Sequence, residues 1–183
     1  MQLLRKYYLH CFNLHPKIGA KTLQKIDLRI DDFESLWRNK ININSLKLDE
    51  KVKELIREVV NQFSPEEEKI KLDKKAINLA YFKDENFPIL LREIPDYPPI
   101  LYYLGEINNT LVNISVVGSR KYSNYGKMAT EKITGELVEV GVNIVSGLAL
   151  GIDAIAHREA VTRNRPTWAV LGCGVDNIYP TSH

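Results

Sequence analysis

Cysteine is scarce in this chain. Only Cys11 and Cys173 occur in 183 residues, too few for a disulfide framework and too far apart for metal-ligand spacing. Both are expected to be reduced thiols, in or near a core, in a cytoplasmic protein. Long apolar runs are also missing. Stretches such as Ile114 to Val117 and Trp168 to Leu171 fall far short of the roughly 20 residues that cross a bilayer. Met1 to Tyr8 lacks the basic-then-apolar order of a signal peptide, so no membrane partner is expected. Neither sign of charge dominates, with 25 Lys and Arg against 23 Asp and Glu. The balance is uneven along the chain: residues 1–80 carry 16 basic against 12 acidic side chains, residues 81–183 carry 9 against 11. That excludes a strongly basic DNA-wrapping surface and leaves only a local pocket for a nucleic acid. Internal repeats and low-complexity tracts are absent as well.

What is present divides into three parts. Residues 1–70 read as a small all-α domain. Leu3, Leu4, Tyr7, Tyr8, Cys11 and Phe12 repeat at helical spacing. Asp31 and Asp32 can cap a helix that buries Phe33, Leu36 and Trp37. Residues 49–63 place Val52, Leu55, Ile56, Val59, Val60 and Phe63 on one stripe. Ser64-Pro65-Glu66-Glu67-Glu68 is a start signal, with a capping hydroxyl, a proline at the first position and acids at the positive end of the dipole. Residues 71–110 read as a connector. Strands are expected near 76–82 and 100–104, with prolines between them at Pro88, Pro95, Pro98 and Pro99 that resist helix. The connector is expected to pack on the domain that follows.

From residue 111 the pattern is α/β. Apolar strands near 111–117, 142–145 and 166–171 each run into a glycine turn, with helices near 125–140 and 152–162 between them. Ala129, Ile133, Leu137 and Val140 are expected to form the buried face of the first helix. Strand, helix, strand, helix, strand is half of a doubly wound, Rossmann-like parallel sheet. A three-stranded half-sheet leaves an edge and a helix layer thinly covered, so the sequence is expected to be truncated at its end.

Parallel strands of such a sheet bring their turns to one edge, where open α/β sheets take ligands. The first turn, Gly118-Ser119-Arg120-Lys121-Tyr122-Ser123-Asn124-Tyr125-Gly126, offers a hydroxyl at Ser119, a planar guanidinium at Arg120 suited to phosphate, and Ser123 or Asn124 to cap the next helix. Lys127 lies in that helix's first turn. Arg120 and Lys121 can equally be solvated surface, because the spacing is not the G-x-G-x-x-G fingerprint. The second turn, Ser146-Gly147-Leu148-Ala149-Leu150-Gly151-Ile152-Asp153, lacks the Gly-Lys-Ser/Thr ending of a Walker loop, which argues against ATP hydrolysis. Asp153 and His157 are four apart and can pair. As an acid/base couple they would be catalytic. As structural residues, Asp153 caps its own turn and His157 packs beneath the loop, and this second reading is adopted. The third turn, Gly172-Cys173-Gly174-Val175-Asp176, puts a thiol near the site without an activating base.

Three segments together resemble the DprA/Smf DNA-processing family: Val116-Val117-Gly118-Ser119-Arg120 with Tyr125-Gly126; Val145-Ser146-Gly147-Leu148-Ala149 with Gly151-Ile152-Asp153 and Ala156-His157; and Ala169-Val170-Leu171-Gly172-Cys173-Gly174 with Ile178-Tyr179-Pro180. Phe87 to Leu91 and Pro98 to Tyr102 look like that family's lead-in, and the helical start looks like its sterile-alpha-motif-like domain. The resemblance implies an extended Rossmann fold, a homodimer in the full-length protein, binding of single-stranded DNA and loading of a RecA-type recombinase in natural transformation, with no cofactor, no metal and no catalytic residue. It implies that Arg120, on the family's glycine-serine/threonine-arginine motif, faces the DNA pocket; together with the turns read above, DNA contacts are expected at Gly118, Ser119, Arg120, Lys121, Lys127, Ser146, Gly147 and Gly151, and supporting roles at Asp153, His157, Gly172 and Gly174. Leu150 departs from the basic residue common there. Lys17 departs from the first glycine of a helix-hairpin-helix turn that Ile18-Gly19-Ala20-Lys21-Thr22 half resembles. The alternatives are a nucleotide-processing hydrolase of a related Rossmann group and a protein-protein adaptor.

Overall fold

A computed structural model of the chain describes residues 4–177. The chain forms two compact units, Met1–Ile107 and Asn108–His183.

Among the described residues the first unit holds five α-helices, two short 3-10 turns and a hairpin: α1 (Arg5–Asn13), α2 (Ala20–Arg29), α3 (Phe33–Trp37), α4 (Glu50–Gln62), α5 (Pro65–Lys74), β1 (Asn78–Tyr81) and β2 (Ile100–Tyr103). The expected start signals operate. Asp32 accepts the Ser35 amide at 2.9 Å and so begins α3. Ser64 accepts the Glu67 amide at 3.4 Å ahead of Pro65. The apolar stripe of α4 is buried at Val52, Leu55, Ile56 and Val59, where it meets Leu9, Cys11 and Phe12 of α1 and Leu23 and Ile26 of α2. Burial pushes the Cys11 thiol up to about 12, so Cys11 is a core filler.

The hairpin belongs to this unit. Strands β1 and β2 pair antiparallel, Asn78 opposite Tyr103 and Tyr81 opposite Ile100, and both Tyr81 and Ile100 lie in the helical core. The sequence led to the expectation that the connector packs on the following domain; its hairpin joins the helical core of the first unit. The cause is a polar lock that spacing does not reveal. Asp27, buried on α2, accepts Arg5 Nε at 2.6 Å and the Tyr81 hydroxyl at 3.0 Å. Lys6 reaches the Leu79 carbonyl at 2.9 Å, and His10 meets the Tyr102 hydroxyl at 2.7 Å.

The second unit is the Rossmann-like half-sheet: β3 (Asn113–Ser115), α6 (Asn124–Glu139), β4 (Asn143–Ser146), α7 (Ile152–Thr162) and β5 (Thr167–Ala169). The order is β3-β4-β5, all parallel, with Ser115 opposite Val145 and Val145 opposite Trp168. Single bonds extend both pairings past the strand ends, Val116 N to the Val145 carbonyl at 3.0 Å and Val170 N to the Ser146 carbonyl at 2.8 Å. The core is Val138, Ile144, Ala156 and Ala160. Helix α6 buries Thr134, Gly135 and Val138, whereas Ile133 is 56% and Val140 is 78% exposed. The expected face is thus rotated. Small residues decide it: a side chain at Gly135 would stand 2.7 Å from the Arg163 guanidinium at the end of α7, so the helices approach where bulk is missing.

Candidate nucleic-acid interface

The three strands run parallel, so their C-terminal turns share one end of the sheet. The first two turns are bound to each other by one side chain. Asp153, in the first turn of α7 and 6% exposed, accepts the Gly118 amide on Oδ1 at 3.3 Å and the Gly147 amide on Oδ2 at 3.2 Å. It therefore does more than cap its own turn. The same two bonds mean that the Gly118 and Gly147 amides already hold a carboxylate and are not free for phosphate.

Glycine is required where the turns touch. At Gly151 φ is +94°, and a Cβ there would stand 2.2 Å from the Ser119 carbonyl oxygen and 2.7 Å from Arg120 Cα. A Cβ on Gly118 would stand 2.8 Å from the Ile152 side chain. The Ile152 amide donates to the Ser119 carbonyl at 3.2 Å. The backbone of Ser119 and Arg120 is thus seated directly on the start of α7. The third turn comes near at Val170, whose carbonyl lies 3.9 Å from where a Gly147 Cβ would be.

Within this frame the candidate residues separate by what they already do. Ser119 was expected to offer its hydroxyl outward, but it donates to the Lys121 carbonyl at 2.6 Å and accepts the Lys121 amide at 3.0 Å. Ser146 is buried, its hydroxyl donating to the Val116 carbonyl at 2.6 Å. Both stiffen the turns, and neither presents a free hydroxyl. Ser123 caps α6 by accepting the Gly126 amide at 3.1 Å. Lys127 lies 3.7 Å from Glu131 one turn on, an exposed pair worth little. Arg120 and Lys121 are exposed, and neither side chain makes a hydrogen bond or ion pair among the described residues. Arg120 is therefore a free planar cation on a fixed backbone.

His157 and Asp153 have separate partners. His157 Nδ1 meets Thr167 Oγ1 at 2.8 Å, and that hydroxyl donates to the Ile144 carbonyl at 2.7 Å. The histidine ties α7 to the sheet. Cys173 is exposed, against the expectation of a buried or near-core thiol. Its turn closes on itself, with Asn177 N to the Gly174 carbonyl at 2.8 Å and Cys173 Sγ to the Asn177 carbonyl at 2.9 Å. Gly172 and Gly174 are exposed in that turn. Ile178, Tyr179 and Pro180 lie outside the described residues. Among the described residues no His, Cys, Asp and Glu group is arranged to hold a metal ion, and no helix is long and apolar enough to cross a membrane. What the sequence did not disclose is the reach of Asp153 to a glycine 35 positions earlier; an acid directly after a glycine turn is the only local signal.

Comparison with known proteins gives this geometry a family. Residues 78–183 match the model of the DNA recombination-mediator protein A family. The Smf protein of Synechocystis sp. is 46% identical over 102 residues, 53% of this chain and 26% of that protein. The DNA processing protein DprA of Streptococcus pneumoniae is 41% identical over 101 residues, 55% of this chain and 36% of that protein. The X-ray structure of the Streptococcus pneumoniae DprA superposes with a TM-score of 0.69 at 26% identity, covering 100% of this chain and 62% of that one. The aligned segments thus span well under half the length of these two curated relatives. With the family model matching more than half of its residues, the chain belongs to the DNA recombination-mediator protein A family.

Proposed function

We propose that the protein binds single-stranded DNA at the glycine-turn end of its parallel sheet and passes the strand to a RecA-type recombinase during DNA uptake and recombination. The family's description as a recombination mediator and the DNA-processing names of its relatives support this reading. The observation that carries it is Arg120: an exposed, unpartnered guanidinium whose backbone is clamped between Gly151 and the start of α7. The planar guanidinium matches phosphate oxygens, and the fixed backbone leaves only its own side-chain rotamers to be ordered on binding. Lys121 and Lys127 flank it and supply diffuse positive potential. Gly118, Gly147, Gly151, Ser119 and Ser146 act by fixing the turns, and Gly172 and Gly174 shape the neighbouring rim.

The reaction is binding without turnover. Asp153 holds two backbone amides, His157 bonds Thr167, and no lysine ends the Gly147–Asp153 turn. Neither group has the free geometry of a general base. The exposed apolar side chains of α6, Tyr125, Met128 and Ile133, support a homodimer by offering a surface to a second protein face.

The test is oligonucleotide binding by the full-length protein. Loss of one charge-assisted bond removes about 1.5–3 kcal/mol, so Arg120→Ala lowers single-strand affinity by about tenfold to a hundredfold. The slope of log affinity against log salt falls by about 0.7. Arg120→Lys restores part of the affinity, because the charge returns without the fork. Unchanged affinity of a folded Arg120→Ala at low and moderate salt overturns the site.

A further inference from the structure

The first unit carries a second cationic feature, on α2. Lys17, Lys21, Lys25 and Arg29 recur at every fourth position. Four helical residues rise about 6 Å and overshoot one turn by about 40°, so Lys21, Lys25 and Arg29 make one stripe along α2. All four side chains are exposed, and none makes a hydrogen bond or ion pair among the described residues. Five other surface cations of the same unit are matched, Arg38 with Glu34, Lys53 and Arg57 with Glu50, Lys69 with Asp73 and Lys71 with Glu68, while Lys40, Lys51 and Lys74 are exposed singly off this stripe. The single carboxylate of α2, Asp27, is turned inward to Arg5 and Tyr81. Lys47 extends the surface, lining an open groove with Lys25, Arg29, Leu48 and Asp49; Asp49 is the one acid in that lining. Like charges four apart on a helix destabilise it by a few tenths of a kcal/mol per pair. A helix that keeps three in line, with its acid folded away, is built for an anion. The near-balanced charge of the whole chain concealed this face.

We propose that the outer face of α2 is a docking surface for the phosphate backbone of duplex DNA, distinct from the strand-end site around Arg120. The proposal rests on the reading of the chain as a DNA-binding protein. Duplex is favoured over single strand on chemistry. Single-strand surfaces combine cations with aromatic rings on which bases stack, and α2 has no aromatic residue. A duplex hides its bases and presents about one charge per 1.7 Å of axis, which a row of cations can read without stacking.

The experiment compares the full-length protein with the Lys21→Ala, Lys25→Ala, Arg29→Ala triple variant on blunt duplex and on single-stranded oligonucleotides between 50 and 200 mM salt. Three phosphate contacts contribute about 2.7 to the duplex salt slope. Over that fourfold range the parent's duplex affinity therefore falls about fortyfold more than the variant's. Single-strand binding stays within about twofold of the parent's. A Lys21→Arg, Lys25→Arg variant keeps the parent's duplex slope. Arg120→Ala is run alongside: it lowers single-strand binding and leaves the duplex slope alone. If Arg120→Ala has no effect while the triple variant does, the strand-end site is wrong and the α2 surface stands. The α2 proposal is overturned if the parent does not bind duplex. It is equally overturned if the triple variant, with parental circular dichroism and melting, keeps the parental duplex slope, or if it loses single-strand and duplex binding equally.

Discussion

Asp153→Ala separates a clamp from a spectator. The carboxylate holds the Gly118 amide at 3.3 Å and the Gly147 amide at 3.2 Å. A hydrogen bond to a charged group contributes about 1.5–3 kcal/mol. Both bonds are long, so each belongs near the bottom of that range, about 3 kcal/mol together. Gly118 and Gly147 are exposed, and water can take over the freed amides, which trims the loss to about 2–3 kcal/mol. Asp153→Asn keeps one oxygen acceptor and turns an amide group toward the second N–H, so it loses about half as much or slightly more. The two units require a probe for each. Trp37 lies in the first and Trp168 in the second. In a Trp37→Phe background Trp168 fluorescence follows the second unit alone. With a urea slope of about 1–3 kcal/mol per M, Asp153→Ala moves the midpoint down by about 0.7–3 M. A shift worth less than about 0.5 kcal/mol, with the slope unchanged, refutes the clamp.

Gly151→Ala forces a Cβ to 2.2 Å from a carbonyl oxygen at φ +94°; strain of about 1–3 kcal/mol plus overpacking of about 1–3 kcal/mol should unfold the second unit well before the parent in the same Trp168 titration. Gly172→Ala, with open space at its Cβ and no positive φ, stays within about 0.5 kcal/mol in that assay. The first unit should lose stability in mild acid. Burial lowers the His10 pKa from its ordinary 6.5, against the opposing pull of Glu68. The unfolded chain thus takes the proton first, and the contribution is intact above about pH 6.5 and lost as pH falls toward the folded value, at no more than about 1.4 kcal/mol per pH unit. Trp37 fluorescence during urea titrations at pH 7.5 and 5.5 reads this, and a His10→Gln variant with the parental pH dependence contradicts it.

The second unit was the more legible part of the sequence. Apolar runs ending in glycine located all three parallel strands and both helices, because period and punctuation are local. Ser123, Asp32 and Ser64 were readable as caps for the same reason. Helix orientation was not, since Ile133 and Val140 look like core until Gly135 is known to face Arg163. The hairpin's allegiance was hidden in the bonds of Asp27 to Arg5 and Tyr81, 22 and 54 residues away. At the site, the sequence could supply Arg120 and the glycines but not the occupancy of the Gly118 and Gly147 amides, which depends on a carboxylate from another element. Nor could it tell that Ser119 and Ser146 spend their hydroxyls on carbonyls. Cys173 was expected in or near a core because no activating base follows it, whereas the turn after β5 lies open and leaves it exposed.

The most direct measurement is a structure of the full-length protein with a short single-stranded deoxyoligonucleotide. The account predicts a phosphate within hydrogen-bonding distance of the Arg120 guanidinium, beside the turn that rests on Gly151, with Asp153 still holding the Gly118 and Gly147 amides. A strand bound elsewhere, with Arg120 left in solvent, contradicts it.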